Sequence, residues 1–274
     1  MVLPVPTLDH VVVNARDDLD GAAEVYRRLG FTLTPRGYHT LGSMNHLAIF
    51  GTEYLELIAA RPGDRRRAEI LDSPIGLNGV VFGTEDSAGL YQALDGAGVP
   101  VDPPLEFSRP VKLEDGARDA VFRTVRLKPG VVPAGRLYFC HHFTRDLVWR
   151  DEWRHHANGV IGIDRIVVVS DPVGVVIDLF GRMFGAEALR RSSLRLGLTS
   201  LSVAERSIFE FVWADSAPDP AGRSQYMAAL GLRVQDLDRT AEVLRDNDVP
   251  FSRTEVWVRV AARDAFGAAL EFRE

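Results

Sequence analysis

The chain has 274 residues, 46% of them hydrophobic and 26% charged, with a formal net charge of −6. This is a soluble globular composition, long enough for one large or two medium domains, and its acidic balance argues against a nucleic-acid-binding protein. No apolar run approaches the ~20 residues that span a bilayer, and no signal peptide is visible, so we expect no membrane partner. The single cysteine, Cys140, cannot form an intramolecular disulfide, and we therefore expect a cytoplasmic protein.

The first predicted elements are a strand and a helix. The strand is the apolar segment LDHVVVNA, which starts at Leu8. Asp17 or Asp18 is placed to cap the following helix, and Gly30 is placed to end it. Apolar residues recur at helical spacing between these signals: Leu19, Ala22, Ala23, Tyr26 and Leu29.

The segment GTEYLELIAA, residues 51–60, predicts a strand that carries a carboxylate. Alternation places Tyr54, Glu56 and Ile58 on one face. Both faces are mostly apolar, which indicates burial on both sides. An isolated ionised carboxylate is costly to bury, so Glu56 must be paired, protonated or bound to a metal.

The remaining elements repeat this pattern. LDHVVVNA resembles IDRIVVVS from Ile163, YLELIAA resembles IFEFVWA from Ile208, and the helix LDGAAEVYR resembles LDRTAEVLR from Leu237. A second helix is predicted in EDSAGLYQALDGAGVPV. These matches predict four units, at 7–62, 76–146, 160–216 and 225–274. We therefore expect one domain over 1–146, a linker over 147–159 and a second domain over 160–274.

The four units, the histidine in LDHVVV and the glutamate in YLELIA resemble the vicinal oxygen chelate superfamily, which includes glyoxalase I, type I extradiol dioxygenases and bleomycin-resistance proteins. GSMNHLAIFGTEYLELIA and YFCHHFTRDLVWRDEWRHHANG are similar to its glyoxalase-like domain proteins. The resemblance implies an α+β fold in which four βαβββ units form two half-open barrels. It also implies metal ligands from the first and last strand of each unit.

Transferred to this chain, the pattern is matched at two of the four positions in the first half. His10 and Glu56 match, whereas Gly79 and Phe139 stand where a second histidine and a second glutamate are expected. The third ligand is then expected from His141, two residues beyond Phe139, or from His46 as a substitute. The residues expected to line the substrate pocket are Asn45, His46, Tyr54 and Phe139.

The second half is expected to be degenerate. All seven histidines precede Ala157, so the second half has no imidazole with which to bind a metal. Arg165 takes the place of the first-strand histidine and is predicted to pair with Glu210. Ala229 takes that place in the fourth unit, which keeps an acid at Glu271.

The resemblance implies an enzyme that uses Fe²⁺, Mn²⁺, Zn²⁺ or Ni²⁺ to chelate two neighbouring oxygens of a small substrate. Lyase, isomerase and dioxygenase reactions all remain open, with Glu56 as a ligand or, if released, as a catalytic base. The alternative is a non-catalytic protein that binds a small molecule in the barrel cleft without metal, as the resistance proteins do. Pairing of units between two chains would make a homodimer.

Overall fold

The computed structural model describes residues 2–114, 116–132, 134–190 and 192–274. Over these residues, two mixed eight-stranded sheets follow each other along the chain. The strands of the first sheet are β1 Leu8–Asn14, β2 Gly37–Tyr38, β3 Ser43–Ile49, β4 Tyr54–Ala60, β5 Gly76–Gly83, β6 Leu105–Leu113, β7 Gly116–Arg126 and β8 Arg136–His142. Those of the second are β9 Val160–Ser170, β10 Leu189–Arg190, β11 Ser193–Leu196, β12 Thr199–Ala204, β13 Gln225–Val234, β14 Ser252–Arg253, β15 Val258–Val260 and β16 Ala269–Arg273. The α-helices are α1 Leu19–Arg28, α2 Ala68–Leu71, α3 Ser87–Gly96, α4 Gly174–Phe184, α5 Arg206–Trp213 and α6 Leu237–Asp246.

The strand order confirms the α+β fold of four βαβββ units that the sequence predicted. In each sheet the two units meet at their first strands, giving the orders β2-β3-β4-β1-β5-β8-β7-β6 and β10-β11-β12-β9-β13-β16-β15-β14. Each first strand runs parallel to the last strand of its own unit and antiparallel to the first strand of the next. In the first sheet the two edges approach each other, since Thr40 N, just after β2, donates to Ser108 O on β6 at 3.0 Å. The sheet thereby curls into a barrel around its inner face.

The predicted first helix is confirmed as α1, and its start is set by its capping residue. The Asp18 side chain accepts a hydrogen bond from Gly21 N at 2.9 Å. Asp86 caps α3 in the same way, and Asp236 caps α6. Such caps satisfy backbone donors that the first turn of a helix leaves free. None of the described helices is long and apolar enough to cross a membrane.

Strand alternation divides the apolar residues of β1 between two layers. Val11 and Val13 face the helices and belong to a core shared by both halves of the chain, whereas Val12 faces the interior of the first barrel. Within the shared core the Phe82 ring packs 5.8 Å from that of Phe184. The two halves therefore bury one continuous apolar layer between them.

The second barrel differs from the prediction because IFEFVWA is not a strand. It forms α5, in which Phe209 and Trp213 are buried four residues apart while Glu210 is exposed. A short run that is apolar on every side fits a helix or a strand equally well from sequence. The strand at this position is β12, where Ser202 pairs with Val167 as Glu56 pairs with Val12 in the first barrel.

The predicted Arg165–Glu210 ion pair is therefore wrong. Arg165 instead donates to Glu271 Oε1 at 2.6 Å, and the same fully buried carboxylate also accepts from Arg259 and Arg273. Beside this network, α5 packs its buried ring pair against residues of β9 and β13. Apolar side chains and this ion-pair network thus share the inner face of the second barrel.

Candidate active site

The inner face of the first barrel encloses a small cavity of about 40 Å³, built from alternate residues of its strands. A larger groove of about 600 Å³ adjoins it and shares Arg67, Arg126 and Tyr138 as walls. The side chains that line the cavity are His10, His39, Ser43, Asn45, Leu47, Tyr54, Glu56, Ile58, Arg67, Phe107, Arg109, Phe122, Thr124, Arg126, Tyr138 and Cys140. The groove is large enough to admit a small organic molecule.

His10 lies at the base of this cavity with each ring nitrogen in a defined contact. Nδ1 lies 2.5 Å from Asp9 Oδ1, while Nε2 lies 3.2 Å from the Tyr138 hydroxyl and 3.7 Å from Glu56 Oε2. The imidazole stacks on Tyr54 at a centroid distance of 4.3 Å. Because Asp9 accepts the Nδ1 proton, the Nε2 lone pair is directed into the cavity.

Asp9 is an ionised carboxylate in the barrel wall. Burial opposes its ionisation, but the nearby His142 and the hydrogen bonds from His10 and His142 hold the pKa of Asp9 well below its usual value. His142 Nε2 donates to the same Oδ1 at 3.0 Å. The pair of imidazoles thus fixes the carboxylate that orients His10.

Glu56, the carboxylate that the sequence left unexplained, is also buried and ionised. Its Oε1 accepts a 2.7 Å hydrogen bond from Asn45 Nδ2. Burial raises the pKa of Glu56, but His10, His39, this hydrogen bond and Arg136 more than offset the effect and lower it. The cavity therefore holds a fixed negative charge beside the His10 lone pair.

Of the seven residues predicted for the site, the structure brings four together. His10, Asn45, Tyr54 and Glu56 all line the cavity, and Tyr54, Glu56 and Ile58 share one face of β4 as their alternation predicted. The pairing of β1 with β4 sets the positions of His10, Tyr54 and Glu56. It places His10 opposite Tyr54, and it places Glu56 opposite Val12, the next inward residue of β1.

The other predicted residues on β8 point away from the cavity. Tyr138 and Cys140 face it, so Phe139 and His141 lie on the opposite face. The Phe139 ring packs on Phe82 in the shared core, and the His141 ring stacks on Phe143 at 4.2 Å. The predictions of Phe139 as a pocket residue and of His141 as a metal ligand were therefore wrong, because both faces of this strand are apolar and its sequence does not mark the inward one.

His46 is likewise on the outer face of its strand. Ser43, Asn45 and Leu47 of β3 line the cavity, whereas His46 Nδ1–H donates to Thr34 O at 2.7 Å. Its predicted place in the pocket was therefore wrong, because it is adjacent to Asn45 and side chains alternate along a strand.

His39 is a cavity residue that the sequence analysis missed. It follows the two-residue strand β2, with Nδ1 2.9 Å from Ser43 Oγ and Nε2 3.4 Å from Asn45 Nδ2. Burial lowers the pKa of His39 to about 4, with Arg109 adding to the shift and Glu56 opposing it. The imidazole is thus neutral near pH 7. No periodic pattern marks it, because it lies in a turn.

Among the residues that the structure describes, one group of three metal-ligating side chains converges: Asp9, Cys140 and His142, whose ligand atoms all lie within 4.8 Å of one another. Burial raises the pKa of the Cys140 thiol well above its usual value. The thiol is therefore protonated, and Asp9 already accepts two hydrogen bonds. This arrangement is a buried network that supports His10.

The cavity offers a divalent metal two ligand atoms, His10 Nε2 and a Glu56 oxygen. Asp9 orients the imidazole, and Asn45 orients the carboxylate. At the two other positions of the family pattern the chain has no imidazole or carboxylate. Gly79 has no side chain, and a Cβ there would lie 2.9 Å from a Val12 methyl group; Tyr138 contributes a hydroxyl. The residues present fit a metal held by two protein ligands, with positions open for water and substrate.

A family model described as "Glyoxalase-like domain" matches residues 8–184. No curated protein matches the chain.

Three solved structures share the fold at low sequence identity. A hypothetical protein from Staphylococcus aureus has a TM-score of 0.65 at 12% identity, over 97% of this chain and 98% of its own. A variant of 4-hydroxymandelate synthase from Streptomyces coelicolor gives 0.61 at 14% identity, over 98% and 92%. A xylose isomerase-like TIM barrel/4-hydroxyphenylpyruvate dioxygenase fusion protein gives 0.59 at 11% identity, over 99% of this chain and 49% of the fusion.

Proposed function

We propose that this chain, which belongs to the glyoxalase-like domain family, is a metal-dependent enzyme whose first barrel binds a small substrate through two neighbouring oxygens. The observation that carries the proposal is the Asp9–His10–Glu56 arrangement. A carboxylate orients a buried imidazole, and the other ring nitrogen lies 3.7 Å from a second, ionised carboxylate. The names of two similar structures, a synthase and a dioxygenase fusion, support an enzyme rather than a scaffold.

His10 and Glu56 would hold the divalent ion, with Fe²⁺, Mn²⁺, Zn²⁺ and Ni²⁺ as candidates. When bound, it would polarise neighbouring substrate oxygens and stabilise an enolate or a related oxyanion. Asp9 accepts a hydrogen bond from His10 Nδ1, so Nε2 is the nitrogen that would bind the ion, in place of its contact with the Tyr138 hydroxyl. Asn45 holds one oxygen of Glu56 and leaves the other facing the cavity.

Two tyrosine side chains, Tyr138 and Tyr54, contact the His10 imidazole. The Tyr138 hydroxyl, 3.2 Å from His10 Nε2, is a hydrogen-bond donor in the cavity wall, because burial raises the pKa of this phenol and keeps it protonated. Tyr54 covers the other face of the imidazole. The small volume of the cavity excludes bulk water from these groups and strengthens their electrostatic interactions.

A second candidate function, non-catalytic binding of a small molecule, is favoured by one observation. Gly79 and Tyr138 stand where the family pattern has further ligands, so a metal would have two protein ligands instead of the usual three. In that case the His10–Glu56 contact would be a polar wall of a binding cleft. The two functions differ in whether metal binding depends on these two side chains.

The test is elemental analysis of untagged protein purified without chelators, alongside three variants. We expect close to one transition-metal ion per chain in the wild type and its loss in His10→Gln and Glu56→Gln. His141→Gln is the matched control, because this imidazole lies on the outer face of the barrel, and it should retain the metal. Absence of metal from the wild type, together with no uptake of the four candidate ions, would exclude the metalloenzyme and leave the binding protein.

A further inference from the structure

Arg109, on β6, is a buried guanidinium in the cavity wall without a partner. The residue is 3% exposed, and its Nε and Nη2 atoms are buried without a hydrogen-bond acceptor among the described residues. A buried cation normally pairs with a carboxylate or with several carbonyl oxygens. Here the guanidinium lines the same cavity as His10 and Glu56, so a ligand in the cavity would meet a buried cation whose hydrogen bonds are incomplete.

Two more guanidiniums lie between the cavity and the groove. Arg126 Nε donates to Thr124 Oγ1, and Arg136 Nε donates to Asn78 Oδ1 at 2.9 Å, both neutral acceptors. Arg136 Nη2 is buried without a partner. Among the described residues of this region, Arg67 forms an ion pair with Glu69. Arg109, Arg126 and Arg136 form no ion pair with a described carboxylate.

The cavity therefore has an excess of positive charge. Arg67, Arg109 and Arg126 line it together with a single carboxylate, Glu56. Burial lowers the pKa of Arg126, and repulsion from Arg67 and Arg136 lowers it further. An anion bound among these groups would relieve both the missing hydrogen bonds and the mutual repulsion.

The groove outside the cavity combines an apolar wall with further cations. Its charged lining is mainly basic, because two acids, Glu69 and Asp102, stand against Arg66, Arg67, Arg126, Lys128, Arg136 and Arg223. The apolar wall consists of Leu105, Leu127, Pro129, Val132, Ala134 and Leu137. A molecule that satisfies both features has an apolar body and a negatively charged group.

We propose that the substrate is an organic anion, in which a carboxylate or phosphate group binds Arg109 and Arg126 and an apolar body lies along the groove. This deepens the proposed function and rests on it for the reaction, but the anion site itself requires no metal. Arginine suits both anions because its planar donors bind two oxygens at once. The anion would also offset the charge of a metal ion beside it.

The experiment measures binding to metal-depleted protein, so that it does not depend on metal or turnover. Benzoate and phenyl phosphate are the anionic probes, and benzamide is the neutral probe of similar shape. Thermal-shift and calorimetric titrations should show binding of an anionic probe and none of benzamide at the same concentration. The anion that binds with the higher affinity identifies the charged group of the substrate as a carboxylate or a phosphate.

Variants locate the site. Arg109→Gln and Arg126→Gln should each weaken binding of the anion by roughly ten- to one-hundred-fold, as expected for a lost charged hydrogen bond. Arg195→Gln, at an exposed position on β11, is the matched control and should bind like the wild type. Because Arg126 is only partly buried, its variant remains informative even if the Arg109 variant folds poorly.

Equal binding of benzamide and the anions, or wild-type affinity in both variants, would overturn the organic-anion proposal. Such a result would leave metal binding by His10 and Glu56 intact. Conversely, anion binding to a protein that takes up no metal would refute the metalloenzyme and keep the anion site. The two proposals can therefore fail separately.

Discussion

Asp9 Oδ1 lies 2.5 Å from His10 Nδ1, and this contact determines which nitrogen of His10 faces the cavity. The two residues are adjacent in β1, yet both side chains are buried and in contact. Carboxylates that accept the distal proton of a metal-binding histidine fix the ring and increase its basicity. The pair therefore accounts for a polar Asp-His dipeptide inside an otherwise apolar strand.

Replacing Asp9 with asparagine tests this role. Asp9→Asn should weaken metal binding by roughly ten- to one-hundred-fold, because an amide neither fixes the His10 tautomer nor increases its basicity. Isothermal titration with Mn²⁺ or Zn²⁺ measures the change. His142→Gln, which removes the other partner of Asp9 but leaves its charge, should have a smaller effect. Equal affinity in Asp9→Asn and wild type would show that the dyad is structural only.

Arg109→Met should stabilise the ligand-free protein. The substitution removes an unpaired buried charge while keeping an unbranched side chain of similar length, and relief of such a group is worth about 1–3 kcal/mol. We expect Tm to rise by a few degrees, as about 1 kcal/mol shifts a chain of this size by roughly 2–4 °C. Differential scanning calorimetry without added anions measures it. A fall in Tm would indicate that Arg109 has a stabilising partner in the free protein.

Glu271→Gln should have the opposite effect. This carboxylate is fully buried and binds Arg165, Arg259 and Arg273. The neutral amide leaves the three guanidiniums without a negative charge in the second barrel. Removing one partner of a buried ion pair lowers the free energy of unfolding by about 3–5 kcal/mol. Urea unfolding provides the free energy. Metal content should stay at the wild-type level, because the network lies in the other barrel.

His39 should make stability depend on pH between about 4 and its usual value of 6.5. In this range the unfolded chain binds a proton at this position and the folded chain does not, so stability falls as pH falls from 6.5 to 4. Burial also lowers the pKa values of His46 and His156, and these residues add to the same slope. The measurement is therefore a difference: urea unfolding of wild type and His39→Gln at pH 5 and pH 7. An unchanged slope in the variant would contradict the lowered pKa of His39.

The fold and part of the site could be predicted from a family resemblance and from strand alternation. The four units, the histidine in LDHVVV and the glutamate in YLELIA carried the resemblance that implied two barrels, and the alternation of YLELIAA placed Glu56 on the same face as Tyr54. The β8 segment, GRLYFCHHF, could not be oriented in this way, because residues on both of its faces are apolar. Its inward residues, Tyr138 and Cys140, are determined by pairing with β5 and β7.

Other errors have equally local causes. IFEFVWA has the composition of a strand, but two of its aromatic residues lie at helical spacing and the chain uses them to cover the second barrel. His39 lies in a turn outside any periodic segment. Arg109, Arg126 and Arg136 come from β6, β7 and β8, so only the curvature of the sheet brings them together.

The most direct measurement is an anomalous-scattering map from crystals of the wild-type protein soaked in Mn²⁺. We expect one strong peak in the first barrel, within bonding distance of His10 Nε2 and a Glu56 oxygen, and its loss in Glu56→Gln crystals. A peak among Asp9, Cys140 and His142 instead, or no peak in either barrel, would contradict the central claim that His10 and Glu56 form the metal site.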